Sequence, residues 1–103
     1  MQVIYNVTVS VDIDKSEEWL EWMQESHIPD VMRTGQFIEA KISKVLGHEE
    51  GGKTFAIQYL CIDMDAYENY QANFAAILQE DHTKRFGKNT AAFRTLLQVH
   101  KSF

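Results

Sequence analysis

Five side chains are of types that do chemistry and fall where one fold could gather them: His27, Tyr5, Tyr59, Cys61 and Arg85. His27 lies on the apolar stripe at the end of the first helical pattern, beside Pro29. In the sheet order reasoned below, that helix end sits near Tyr5 on the first strand. Tyr59, Cys61 and His100, toward the ends of the third and fourth strands, sit near it too. An imidazole, two phenols and a thiol at one end of a helix–sheet cleft suit the binding and protonation of a small polar ligand. The competing reading makes His27 a cap, its imidazole meeting free carbonyls at the negative end of the helix.

The other candidates are weaker. Cys61 is a nucleophile only where a cation stabilises its thiolate; no basic residue adjoins it in sequence, so a small buried hydrophobe explains it better. Arg85 follows Asp81 by four residues and pairs with it on a helix surface, although both continue an apolar face that permits a ligand-facing role. His48 with Glu49 and Glu50, and His27 with Asp30, lack the convergent ligands of a zinc or iron site, so no metal is expected. No cofactor is expected either: the chain has no glycine-rich phosphate loop, GxSxG elbow or paired cysteines.

The elements that must position these residues follow from periodicity. Val3, Tyr5, Val7, Val9 and Val11 alternate with Ile4, Asn6, Thr8 and Ser10, a strand with one face in the core. From Ser16 the pattern turns helical, with Trp19, Leu20, Met23, His27 and Val31 on one stripe. Pro29 predicts a kink or break near His27 and Ile28, and Gly35 a left-handed stop. Residues 37–46 read as a second strand with Ile38, Ala40, Ile42 and Leu46 in phase. The glycine-rich turn 47–52 leads to a third strand over 53–62, with Phe55, Ile57, Tyr59 and Cys61 in phase.

Asp65 and Glu68 suggest a capping box for a second helix, with Tyr67, Tyr70, Phe74, Ile77 and Leu78 on one face and a bend near Gln79. Gly87 ends it, and a last strand covers 90–100. The order β-α-β-β-α-β predicts one α+β domain over residues 1–103. It is a ferredoxin-like sandwich with a four-stranded antiparallel sheet ordered 4-1-3-2 and two helices on one face.

The uncovered sheet face is expected to carry Ile4, Thr8, Glu39, Lys41, Thr54, Ala56, Leu60, Arg94, Leu96 and Gln98, a mixture that suits a semi-polar interface. Two such faces packed about a twofold axis make a homodimer, a dimeric α+β barrel. The net charge of −5 argues against nucleic acid and anionic membranes. So does the third strand, which only partly mimics an RNA-recognition signature. No apolar run nears the roughly 20 residues of a membrane span. One cysteine and no signal-like start point to a cytoplasmic protein.

Several segments together resemble one small bacterial family, the uncharacterised domain of unknown function 4286, placed among dimeric α+β-barrel proteins. They are Asn6-Val7-Thr8-Val9, Trp19-Leu20-Glu21-Trp22-Met23, His27-Ile28-Pro29-Asp30-Val31, Thr34-Gly35-Gln36-Phe37, Arg85-Phe86-Gly87 and Ala92-Phe93-Arg94-Thr95. The resemblance implies this fold and size and no assigned reaction. Asn6 and His82 are also similar to features of the haem-degrading monooxygenases of that superfamily. The tryptophan those enzymes carry near the end of the third strand is replaced here by Tyr59-Leu60-Cys61-Ile62. The sequence therefore points to a binding or self-association module with a small-molecule cleft between the first helix and the sheet. The alternative is a cofactor-independent monooxygenase-like or isomerase-like enzyme. It would act on a small aromatic or quinone-type substrate, with His27, Tyr5 and Tyr59 as acid–base groups.

Overall fold

The computed structural model describes residues 1–47 and 50–103. Strand β1 (Val3–Asp12) is followed by a short 3-10 turn and helix α1 (Ser16–Trp22). A π turn (Met23–His27) then leads to α2 (Ile28–Met32). Strands β2 (Glu39–Lys44) and β3 (Gly52–Cys61) come next, then helices α3 (Met64–Asn73) and α4 (Ala75–Phe86), and finally β4 (Thr90–Gln98). The sheet order is β2-β3-β1-β4, with every neighbouring pair antiparallel. This is the ferredoxin-like α+β arrangement that the alternation and crossovers imply.

The alternation in β1 and β3 does what period two dictates. Val3, Tyr5, Val9 and Val11 are buried beside Phe55, Ile57, Tyr59 and Cys61, beneath Trp19, Met23, Val31, Tyr70 and Phe86 from the helices. Pro29 shapes the first helical leg. It brings no N–H, and its ring crowds the carbonyl four residues earlier, so the turn before it widens. The Ile28 N–H accordingly reaches the Met23 carbonyl, five residues back. Gly35 closes the leg at φ 77°, a conformation that glycine adopts without strain.

Four expectations need correcting. The cap of α3 is Asp63, whose side chain accepts from the Ala66 N–H at 2.9 Å; Asp65 lies inside the first turn. The second helical leg breaks at Phe74, which leaves helical geometry at φ −129°, rather than bending at Gln79. That break turns Ile77 out to solvent, 73% exposed. Strand β2 is shorter than expected, so Ile38 and Leu46 are exposed while Phe37 enters the core.

Finally, β4 takes the opposite phase. Its register pairs Tyr5 with Leu96, Val7 with Arg94 and Val9 with Ala92. Directly paired residues share a face, so Arg94, Leu96 and Gln98 lie on the helix side. Ala91, Phe93, Thr95 and Leu97 lie on the open side with Ile4, Thr8, Thr54, Ala56 and Leu60. The group His48, Glu49 and Glu50, weighed above as metal ligands, lies partly outside the described residues.

The cap correction has a direct test. Asp63→Ala should cost about 1 kcal/mol in urea unfolding, because it strands an amide donor. Asp65→Ala removes only an exposed charge from the helix start and should cost a few tenths.

Candidate functional site

Between the helical layer and the sheet lies a cavity of about 40 Å³. Its floor is the helix-facing side of β1, β3 and β4: Tyr5, Val7, Val9, Ile57, Tyr59, Ala92 and Arg94. Its roof is Met23, His27 and Val31 from the first helical leg, with Tyr70, Gln79 and His82 from the second. Ala92 and Arg94 are the exposed members of this wall, so the cavity reaches solvent at the β4 edge.

The roof is built from aromatic contacts. Trp19, fully buried against Phe55 at 5.2 Å between ring centroids, donates its Nε1–H to His82 Nε2 at 2.9 Å. An indole nitrogen only donates, so His82 is neutral and carries its proton on Nδ1. Trp22 stacks on His27 at 5.0 Å and also meets Phe86 at 5.4 Å. The wide turn before Pro29 supplies the backbone path that lets His27 sit beneath Trp22. His27 and His82 face each other with ring centroids 5.8 Å apart.

Both imidazoles resist protonation. Burial is the leading cause for His27, reinforced by His82 and Arg94 and opposed by Asp81 and Asp30, and its pKa falls to about 4. His82 is lowered by burial and then by Arg94, with Asp81 opposing. His27 Nδ1 is buried with no hydrogen-bond partner. Such an atom costs on the order of 1–3 kcal/mol unless something in the cavity satisfies it.

Tyr5 and Tyr59 from the sheet, with Tyr70 from α3 above them, bring three phenols to the cavity. Arg94 donates its Nε–H to Tyr5 Oη at 3.0 Å, and Gln79 lies beside the same phenol. Burial raises the Tyr5 pKa despite the nearby guanidinium. Tyr59 and Tyr70 are likewise raised by burial, so all three phenols stay protonated donors. Phe37 completes this aromatic group, 5.0 Å from Tyr59 and 4.8 Å from Tyr70.

The structure brings together three of the five residues singled out by sequence, His27, Tyr5 and Tyr59, and leaves two outside. Cys61 is fully buried in the core but does not line the cavity. Its thiol is pushed up to about 11, by burial first and then by Asp63, which leaves no thiolate. Arg85 is exposed, paired with Asp81 at 3.3 Å and laid over the outer face of Trp22 at 5.3 Å. His100 is exposed beyond the end of β4. Asn6 points to the open sheet face and donates to Thr8 at 3.1 Å, away from the cavity. Among the described residues no three His, Cys, Asp or Glu side chains converge as metal ligands.

Sequence reasoning missed the cavity roles of His82 and Arg94. The signal for His82 was the stripe Ala75, Leu78, His82 and Phe86, visible only once the helix is restarted after Phe74. Arg94 carried no such signal, because both phases of β4 contain apolar residues.

The model for the domain of unknown function (DUF4286) matches residues 2–100. No curated protein matches the chain. Among solved structures, a dimeric ferredoxin-like protein from an uncultured marine organism aligns with a TM-score of 0.72 at 11% identity, covering 100% of both chains. SnoaB, a cofactor-independent oxygenase from Streptomyces nogalater, aligns at 0.69 and 14%, covering 98% of this chain and 95% of the other. An EthD family protein from Bacillus halodurans aligns at 0.70 and 11%, covering 94% and 98%. At such identities the likeness is one of fold.

The depressed imidazoles make stability fall in acid. An unfolded His27 takes up its proton near pH 6.5, while the folded one waits until about 4. The unfolded state therefore binds more protons in that window, and stability drops as pH falls through it. At about 1.4 kcal/mol per tenfold change in proton affinity, and allowing for partial exposure, His27 should account for on the order of 2–3 kcal/mol by pH 4. Urea melts at pH 7 and pH 4.5 should show His27→Gln losing less stability on acidification than the native chain.

Proposed function

The chain belongs to the DUF4286 family, and on that premise we propose that it is a homodimer that holds a small polar molecule between its first helical leg and the sheet. The observation that carries the binding reading is His27 Nδ1. It is a buried polar atom without a partner, set in the wall of a cavity that Tyr5, Tyr59, His82 and Arg94 also line. Native interiors seldom leave such an atom unmet, so a polar occupant is the economical explanation. Its neighbours supply donors for that occupant, and the apolar floor supplies a surface for the rest of it.

The dimer reading rests on β4 and the open face. Every residue from Ala91 to Gln98 is exposed, including Phe93 at 63% and Leu97 at 43%. Phe93 and Leu97, with Ile4, Ala56 and Leu60, form an apolar-centred surface on the uncovered side of the sheet. A second copy offers the same surface to it, as a twofold contact requires.

A cofactor-independent enzyme acting on an aromatic or quinone-type substrate is the second reading, favoured by the neutral imidazole set among phenols. It has a weak base to work with, because His27 holds a proton only near pH 4 until something negative sits beside it.

Both parts of the proposal are open to measurement. A thermal-shift panel of small phenols, amides and carboxylates should contain compounds that stabilise the native chain and not His27→Ala; a panel with no such compound refutes the cavity reading. Sedimentation should find a particle of two chain masses, and Phe93→Glu should weaken self-association at least tenfold, about 1.4 kcal/mol. A native monomer at micromolar concentration refutes the dimer.

A further inference from the structure

The cavity reading above leaves the occupant's chemistry open, and the arginines narrow it. The chain has three. Arg33 pairs with Asp30, and Arg85 pairs with Asp81 at 3.3 Å, each about one helical turn away. Arg94 has no carboxylate within ion-pair distance among the described residues, and it is the one arginine in the cavity wall. Its Nε–H is spent on Tyr5, which anchors the guanidinium at the cavity edge and leaves its other N–H groups for another acceptor.

The roof is complementary. His82, with Nε2 committed to Trp19, has its proton on Nδ1, and His27 contributes the partnerless Nδ1. Both rings are neutral, and each donates to an anion when its proton sits on Nδ1, as the Trp19 bond already requires of His82. The rest of the wall mixes apolar side chains, Val7, Val9, Met23 and Ile57, with the neutral Tyr59, Tyr70 and Gln79, so no second charge faces the occupant.

Resting on that reading, we propose that the cavity receives the carboxylate head of a small apolar monocarboxylic acid, with Arg94 as its countercharge and the two imidazoles as hydrogen-bonding partners. A planar guanidinium matches a planar carboxylate. Size agrees: a water needs roughly 10–15 Å³ of such space, so about 40 Å³ takes three heavy atoms, those of one carboxylate. A phosphate brings five heavy atoms and a second charge against a single cation. The acid's body follows the floor toward the exposed β4 edge at Ala92.

The test uses benzoate and its uncharged isostere benzamide on the full chain, read by thermal shift and by the ring NMR signals of His27 and His82. Benzoate should raise the melting temperature and move both imidazole signals, while benzamide does neither. Arg94→Gln should weaken benzoate at least tenfold, and Arg85→Gln should leave it unchanged. Should Arg94→Gln fail to fold, Arg94→Lys keeps the charge without the planar fork and should bind benzoate more weakly yet still reject benzamide. If benzamide matches benzoate, or the Arg94 variants bind benzoate as the native chain does, the carboxylate proposal is overturned and the cavity reading stands. It is overturned in the same way if neither probe moves the imidazole signals while a neutral panel compound does. If no compound of the panel moves them, both fall together.

Discussion

One hydrogen bond holds the two helical legs in relation to each other: Trp19 Nε1–H to His82 Nε2, joining residues 63 apart in sequence. Trp19 is wholly buried, so its single donor has no water to turn to, and losing the acceptor would strand it at a cost of about 1–3 kcal/mol. The bond therefore sets the position of α4 over α1 and fixes which nitrogen of His82 carries a proton. The roof of the cavity follows from that. His27 faces His82 because both rings pack on Trp22, and Trp22 is held from below by Phe86 and covered from above by Arg85.

The aromatic cluster beside the cavity answers to a different constraint. Tyr5, Phe37, Tyr59 and Tyr70 interlock with centroids between 4.8 and 6.3 Å. Phenols in a core bring hydroxyls that must be met. The Tyr5 hydroxyl is met by Arg94. That contact reaches across β1 and β4 and draws a charged side chain to the helix side of the sheet, where alternation alone would place an apolar one. Around the cavity an imidazole-bearing roof thus faces a floor that combines two phenols with valine and isoleucine side chains.

The same physics explains what could be read from the sequence. Strands β1 and β3 were legible because only one face of each is core, and a slip of one residue would expose every valine. An irregularity before Pro29 was legible, though as a kink or break rather than the widened turn that forms, and so was the stop at Gly35, since both residues act through the backbone. The break at Phe74 was not, because no glycine or proline marks it. Reading Tyr67 through Arg85 as one helix put Ile77, Asp81 and Arg85 on the inner stripe and left out His82 and Phe86. His27, Tyr5 and Tyr59 were found because they lie on core stripes. Arg94 was missed because its strand has two plausible faces and tertiary contacts choose between them.

That ambiguity in β4 is itself informative. A strand whose apolar residues fall on both faces, Phe93 and Leu97 on one and Ala92 and Leu96 on the other, is written for burial from two sides. In the isolated chain neither side is covered: Leu96 is 41% exposed on the helix face and Phe93 63% on the open face. The helix layer stops short of β4 on one side, and that shortfall opens the mouth of the cavity at Ala92 and Arg94. On the other side nothing among the described residues is placed to cover Phe93. One strand thus carries both the entrance to the cavity and the surface offered to a partner. A contact that rigidified β4 through Phe93 and Leu97 would steady the guanidinium of Arg94 on the opposite face of the same strand.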